Sequence, residues 1–512
     1  MRVAVIGTGP KGLFAIERLL ARSRSEPLAV VAFDPRPPGE GAAYATSQPD
    51  WLRLNVNSTI VDAGWRSGPW PSPPWLVAFD QWRAGPGSDP FAPRRKVGDY
   101  LGWVWRGLVA NLPEHTTLRH RAQRVTAVEA GPRWSVDGEN YDEVLLATGH
   151  ADDWPGALRH RWHGHERLVP AVFPLDGLAD VRPNDAVAVR GAALTFLDAV
   201  LTLTQGRGGR FEGTGPLRYE PCGGEPAVIW PTSRGGRFME VKPEPGSALA
   251  RLDRADAVDA AAAALAKADT AGDALTHVPL LARGLLALAG HCDDDGIDAV
   301  LTGAPAGDPT EALRRSWEVA TERCPPTAAW ALGQAWRDLA PALALRFSGV
   351  GEPDAFSEFA AMAARLERVA FGPPPGNAAK LLALLDAGVV DSASLADGVV
   401  DSSGFRWRSG PGPGADVVVD AVLPPPGATP VPGSLPGRLL ASGLLTAGAG
   451  RRGVAIDPDG TCLTKDGGRL AGLAALGRPT EDVTIGNDTL NRSLHDTADR
   501  WAARITGTQE AT

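Results

Sequence analysis

The sequence predicts an α/β protein in which two strand–turn–helix units carry a helical insertion, and three observations predict it. MRVAVIGTGPKGL runs an apolar strand into a glycine turn and a helix. NDAVAVRGAALTFLDAV repeats that order near residue 190. From about residue 245 to 398 the composition shifts to alanine, leucine and scattered charge at helical spacing. At 512 residues, 44% apolar and 22% charged, the chain has room for several cores.

Val3 to Ile6 is a continuous apolar run, as expected for a central parallel strand covered on both faces. Gly7, Gly9 and Gly12 then fit G-x-G-x-x-G, with Pro10 and Lys11 inside the signature, and Leu13 to Ala21 has helical periodicity. The first glycine permits the tight turn, the second lets backbone approach a pyrophosphate, and the third lets helix pack on strand. The helix N-terminus offers unpaired N–H groups and a positive dipole end. Leu28 to Phe33 forms a second strand ending at Asp34, 22 residues beyond Gly12, where a carboxylate can accept from ribose hydroxyls. Strand, turn, helix, strand and acid in register predict a dinucleotide site.

Further strands follow. Val144 to Ala147 ends at Thr148-Gly149. Ala186 to Val189 leads into Gly191-Ala192-Ala193, where a Cβ at residue 193 crowds any diphosphate. Ala227 to Gly236 carries a strand that ends on Ser233-Arg234; a guanidinium there can pair bidentately with a 2′-phosphate and favour NADPH over NADH, or simply face solvent. Ala415 to Gly427 reads as a closing strand and Pro-rich linker. Asp457-Pro458-Asp459-Gly460 is a hairpin signal, and Leu470 to Leu476 makes a last strand before Gly477.

These segments together resemble the two-dinucleotide flavoprotein superfamily. More closely they resemble a bacterial FAD/NAD(P)-binding family whose members carry GxGPxG, a G-x-G-x-x-Y loop (Gly39 to Tyr44), an LN segment (Leu54-Asn55), ATGH, GRPTE and GNDTL. That family sits near the flavin-dependent N-hydroxylating monooxygenases. The resemblance implies a two-dinucleotide-binding (FAD plus NAD(P)) Rossmann-type flavoprotein with a helical insertion. FAD would be held by Gly7, Gly9, Pro10, Lys11, Gly12 and Asp34, closed over by Thr148 and Gly149, and lined by Gly477, Asn487, Thr489 and Leu490. Arg94, with Arg95 beside it, would touch flavin phosphates, a substrate carboxylate or only solvent. NADPH would lie at Gly191, Ser233 and Arg234. Asn55, with Asn57 as substitute, would supply the catalytic side-chain amide, or be an asparagine in a turn. The expected division is 1–178 and 433–512 for the FAD-binding domain, 179–244 and 399–432 for the NAD(P)-binding-like domain, and 245–398 for the insertion.

The activity implied is NADPH-dependent hydroxylation of an amine nitrogen on a small molecule. Two alternatives stay open: a flavin dehydrogenase or oxidase, favoured by the altered Gly191-Ala192-Ala193 turn, and a non-catalytic flavin-binding protein whose insertion meets a partner. Net charge is −9 and no basic block exists to neutralise phosphates, which argues against nucleic acid. No uninterrupted apolar run approaches the length of a membrane span, and strand follows Met1 at once, so the cytoplasm is the expected location. Cys222, Cys292, Cys324 and Cys462 form no C-x-x-C pair and are expected to be mostly buried packing residues; no HExxH marks a metal site. Trp317, Trp330, Trp336 and Arg346 offer substrate contacts in the insertion, against which tryptophans at helical spacing read first as core, and Trp65 to Trp82 reads as either a lid over the flavin or an irregular surface loop.

Overall fold

A computed structural model describes residues 1–23, 26–83, 89–291, 295–303 and 307–508. The chain forms two compact units, one of Met1–Pro155, Leu343–Phe356 and Pro424–Thr512, the other of Gly156–Ala342 and Ser357–Leu423.

The first unit is built on a six-stranded sheet. Its order is Thr461–Leu463, Arg469–Ala475, Glu143–Leu146, β1 (Arg2–Ile6), β2 (Leu28–Phe33) and β3 (Thr116–Arg121). All neighbours are parallel except the first pair, and Ile6 lies level with Phe33 on one side and Leu146 on the other. Side chains alternate across the sheet. Val3 and Val5 join the core under α1 (Pro10–Arg22), the Arg94–Ala110 helix and Trp501, whereas Ala4 and Ile6 join the core holding Val136, Tyr141 and Leu439. Both faces of β1 are therefore dry, which is why VAVI lacks polar alternation.

The turn signal at Asp457 to Gly460 folds as a turn, closed by Gly460 N–H to Asp457 O at 2.8 Å. The flanking residues pair across it, with Ile456 bridging Cys462 antiparallel and Asp457 N–H donating to Thr461 O at 2.8 Å, and Thr461–Leu463 then pairs with Arg469–Ala475 across a second turn at Thr464 to Gly468.

The second unit holds a four-stranded parallel sheet in the order Val228–Thr232, Ala186–Arg190, Val417–Asp420, Arg167–Val169. The last strand falls inside residues 156–178, which the sequence placed with the first domain; three residues with one fully buried side chain leave no periodicity to read. Helices from Ala255–Lys267 to Ser394–Asp397 make up the insertion, but Leu343–Phe356 belong with the first unit, where Gly349 N–H donates to Val483 O at 2.7 Å.

Of the described cysteines only Cys462 is buried; Cys324 is half-buried and Cys222 exposed in the turn after Arg218–Glu220, so the expectation of buried thiols fails for both. Cys292 lies outside the described residues. Trp317, Trp330 and Trp336 are core. Within Trp65 to Trp82, Leu76 and Phe79 are fully buried and the Ser72 hydroxyl donates to Glu17 at 2.6 Å, so this stretch is part of the core rather than a loose loop. Among the described residues no helix is long and apolar enough to cross a membrane, and no cluster of metal-ligating side chains occurs.

Candidate active site

Because β1, β2, Glu143–Leu146 and Arg469–Ala475 run parallel, Gly7, Asp34, Thr148 and Gly477 all leave the sheet at its carboxyl edge, the usual place for a ligand in an open α/β sheet. Gly7 has φ +101°, and a Cβ there would fall 2.2 Å from Ala147 O; at Gly12 it would fall 1.9 Å from Gly7 O. Only glycine fits either position, and α1 therefore starts flush against β1. Gly9 is its N-cap with no side-chain bond, Pro10 takes the first helical position, and no acid lies in the first turn. The opening amides of α1 thus lack any side-chain cap, and the positive end of its dipole has no local counter-charge.

Asp34 has a duty the sequence did not show. Its Oδ2 accepts Thr8 N–H at 2.8 Å and its Oδ1 accepts Arg36 N–H at 3.0 Å, so this nearly buried carboxylate latches the glycine turn onto the end of β2. Thr8 is fully buried, yet its hydroxyl has no partner. An orphaned polar atom at such a place marks an incomplete site.

The C-terminal segment closes over the start of α1. Gly477 packs on the Lys11 side chain, and Lys11 Nζ donates to Thr489 O at 2.6 Å. Burial pulls the Lys11 ammonium down to about 8, with Asp488 opposing and Arg492 and Arg478 assisting. Asn487, only 2% exposed, donates through Nδ2 to Glu481 at 2.8 Å and Thr484 O at 3.0 Å while its Oδ1 stays without a partner. It lines a cleft with about 520 Å³ of empty volume, shared with Lys11, Gly477, Thr480, Asn491 and His495. Thr489 contributes its carbonyl, since its hydroxyl accepts Asn491 N–H at 3.0 Å, and the Leu490 side chain is core.

Beside this edge Thr148 is half-buried and Gly149 exposed with φ +69°. Burial, with the Arg478 charge adding to it, holds the next residue, His150, at about 4, so its imidazole is neutral at pH 7. Asn57 Oδ1 accepts Thr59 N–H at 3.0 Å and caps the Ser58–Ile60 turn, a structural duty, while Asn55 is half-buried two residues before it. Arg94 Nε donates to Arg53 O at 3.0 Å, and Arg95 pairs with Asp50 at 2.5 Å, so both tie the 50–53 stretch to the Arg94–Ala110 helix.

Behind α1 lies a buried charge network. Arg18 donates to Glu17 at 2.7 and 2.5 Å, Arg492 to Glu17 at 2.9 Å, and Arg22 to Asp499 at 2.8 and 2.5 Å. It fixes the helix whose N-terminus forms the site.

In the second unit Gly191, with φ +111°, donates to Thr232 O at 3.0 Å. Parallel pairing of Ala186–Arg190 with Val228–Thr232 puts the 191–193 turn and Ser233-Arg234 at one edge. Ser233 Oγ accepts Arg237 N–H at 3.2 Å, and Arg234 is exposed. Glu481 falls within the Gly477 to Asn491 stretch that the resemblance placed along the flavin, whereas sequence reasoning missed Thr8 and His495. Thr8 occupies a variable position of the signature, and His495 is placed only by the fold.

Three comparisons bear on this geometry. The chain is 34% identical over 282 residues to an L-aspartate N-monooxygenase (nitrosuccinate-forming) of Streptomyces davaonensis, covering 46% of this chain and 43% of that enzyme. It is 32% identical over 271 residues to a nitrosuccinic acid synthase of Aspergillus oryzae, covering 46% and 40%. The matches thus span about two fifths of these curated relatives' length. An ornithine N-hydroxylase structure from Kutzneria sp. 744 aligns over 99% of both chains at 15% identity and a TM-score of 0.48. Residues 4–151, which hold the glycine turn, the Asp34 latch and the Thr148-Gly149 turn, match a family described as FAD-NAD(P)-binding.

Proposed function

We propose that this chain is an FAD-dependent, NAD(P)H-linked monooxygenase of the cytoplasm that hydroxylates the amine nitrogen of a small amino acid. The observation that carries the proposal is the likeness, over 46% of the chain, to enzymes named for oxidising the nitrogen of L-aspartate.

The residues at the carboxyl edge fit a flavin dinucleotide. Gly7 and Gly12 let α1 start flush against β1, where a Cβ at either would strike the backbone of Ala147 or Gly7, the first turn of α1 is uncapped, and the Thr8 hydroxyl and Asn487 Oδ1 are buried without partners. FAD, when bound, supplies the electron transfer and oxygen chemistry. The amides at the start of α1 hold the diphosphate, and the Lys11 ammonium, braced on Thr489 O, adds positive charge beside it. Asp34 keeps the turn in shape by holding the Thr8 and Arg36 amides. Neutral His150 offers hydrogen bonds without placing a cation at the edge. Asn55 is the side-chain amide that orients the reacting groups. In the second unit Gly191 and Ser233 receive the nicotinamide dinucleotide, and exposed Arg234 pairs with its 2′-phosphate, which selects NADPH.

A second reading is a flavin dehydrogenase or oxidase. Ala193 favours it, as the N-cap of the Leu194–Leu203 helix where the signature has glycine. The test is purified protein reconstituted with FAD, followed for NADPH and O2 consumption with and without L-aspartate and other amino acids. Amine-dependent oxygen uptake with an N-oxidised product supports the proposal. Hydride transfer with no oxygen inserted into any amine favours the second reading, and failure to bind FAD overturns both.

A further inference from the structure

The helical part of the second unit contains a cavity whose wall is made of hydrogen-bond donors. The Pro309–Ala320 and Ala328–Asp338 helices, the extended stretch from Glu240 to Pro243 and the end of the Pro353–Ala370 helix line a narrow, partly open recess with room for one group about the size of a water. Ser316 Oγ accepts Val241 N–H at 2.8 Å, and Thr327 Oγ1 accepts Trp330 N–H at 3.4 Å as an N-cap, so each hydroxyl proton remains to be given. Trp330 is 6% exposed and its indole Nε1 is buried with no acceptor. The only acid on the wall, Glu240, is held by Arg368 at 2.9 Å.

The charges around the cavity do not balance. Arg337, also on the wall, donates to Ala370 O at 2.8 Å and Gln334 Oε1 at 2.7 Å, both neutral; the neighbouring Asp338 is taken by Arg254 at 2.7 Å. Lys242 lies between two wall residues and is 8% exposed, and its ammonium meets only the Phe371 ring, at 5.7 Å. Burial, with Arg337 assisting, pulls it down to about 7. Arg337 is thus a buried cation without an ion-pair partner, and Lys242 becomes a second one whenever it takes up its proton, an arrangement that an anion would compensate.

We propose that this cavity binds a small monovalent anion of the chloride class, held by Trp330 Nε1, the Ser316 and Thr327 hydroxyls and the Arg337 guanidinium, as counter-charge for Arg337 and Lys242. The site is independent of the flavin reading. The test follows the melting midpoint of the full chain as sodium chloride replaces sodium gluconate at constant ionic strength. The expected result is a saturable rise with chloride and with bromide. Trp330→Phe removes one donor to a charged ligand and weakens the apparent affinity about tenfold. Lys242→Met, which removes a buried cation, melts above the wild type in gluconate and loses most of the chloride increment. Equal midpoints in chloride and gluconate overturn the proposal, as does a chloride increment that both variants retain in full.

Discussion

Glu17 is the residue on which the first unit's internal charge balance turns. Its carboxylate is 1% exposed and receives Arg18, Arg492 and the Ser72 hydroxyl, while Asp499 holds Arg22 and touches Arg18 at 3.3 Å. Glu17→Gln keeps the volume and one carbonyl oxygen but leaves three buried guanidiniums facing a single carboxylate. Breaking a buried pair from one side costs about 3–5 kcal/mol, because the remaining charge cannot return to water. In a unit of this size that lowers the melting midpoint by roughly 10 °C. The pH dependence is a second readout. Burial alone would raise the Glu17 pKa, but the Arg18 hydrogen bonds and the Arg492 charge hold it below the ordinary value. Its contribution is therefore present above the unfolded carboxylate pKa and is lost as pH falls through the lower folded value. Urea titrations from pH 7 down into the acid range, read by circular dichroism, should show wild type and variant far apart at neutrality and converging in acid. A loss below about 1 kcal/mol, with parallel pH profiles, would refute the assignment of this network as a linked charge cluster.

Four other outcomes are expected. Thr8→Val removes an orphaned hydroxyl, so stability should hold or rise slightly while FAD retained per protein, read from the visible to ultraviolet absorbance ratio, falls several-fold. Asp34→Asn weakens the latch on the Thr8 and Arg36 amides by about 1.5–3 kcal/mol, seen as earlier unfolding in urea even without added flavin. Gly7→Ala combines a positive φ with overlap on Ala147 O and should cost about 2–5 kcal/mol; a variant as stable as wild type would contradict the packed turn. Arg234→Ala should raise KM for NADPH about tenfold and leave that for NADH unchanged; unaltered preference would remove Arg234 from the second site.

The fold was legible wherever one strand is dry on both faces or one turn admits only glycine. VAVI, LAVVAF and VLLA read as buried parallel strands because no polar side chain interrupts them, and they pair side by side. The glycine signature was readable because its spacing reflects steric contacts within one short stretch, Gly12 against Gly7. Arg167–Val169 was not, since three residues of an edge strand carry too few buried side chains to show a period. The site was half legible. Gly7, Gly12 and Gly477 could be named from sequence, but the latch role of Asp34 depends on which amide its carboxylate reaches. Asn57 shows the limit from the other side: an asparagine beside a serine turn is equally a cap, and here it caps. The Glu17–Arg492 pair joins residues far apart in the chain, so no local pattern announces it.

Arg469–Ala475, which comes late in the described chain, lies beside Glu143–Leu146 within the first unit's sheet, and this sets an order of assembly. Roughly 300 residues separate the two strands, so at ordinary elongation rates the earlier one waits roughly 15–60 s on the ribosome with a hydrogen-bonding edge unfilled. Over that interval the nascent amino-terminal half is a template for any passing β-segment. Pairing of Arg469–Ala475 with Glu143–Leu146 is what fills that edge.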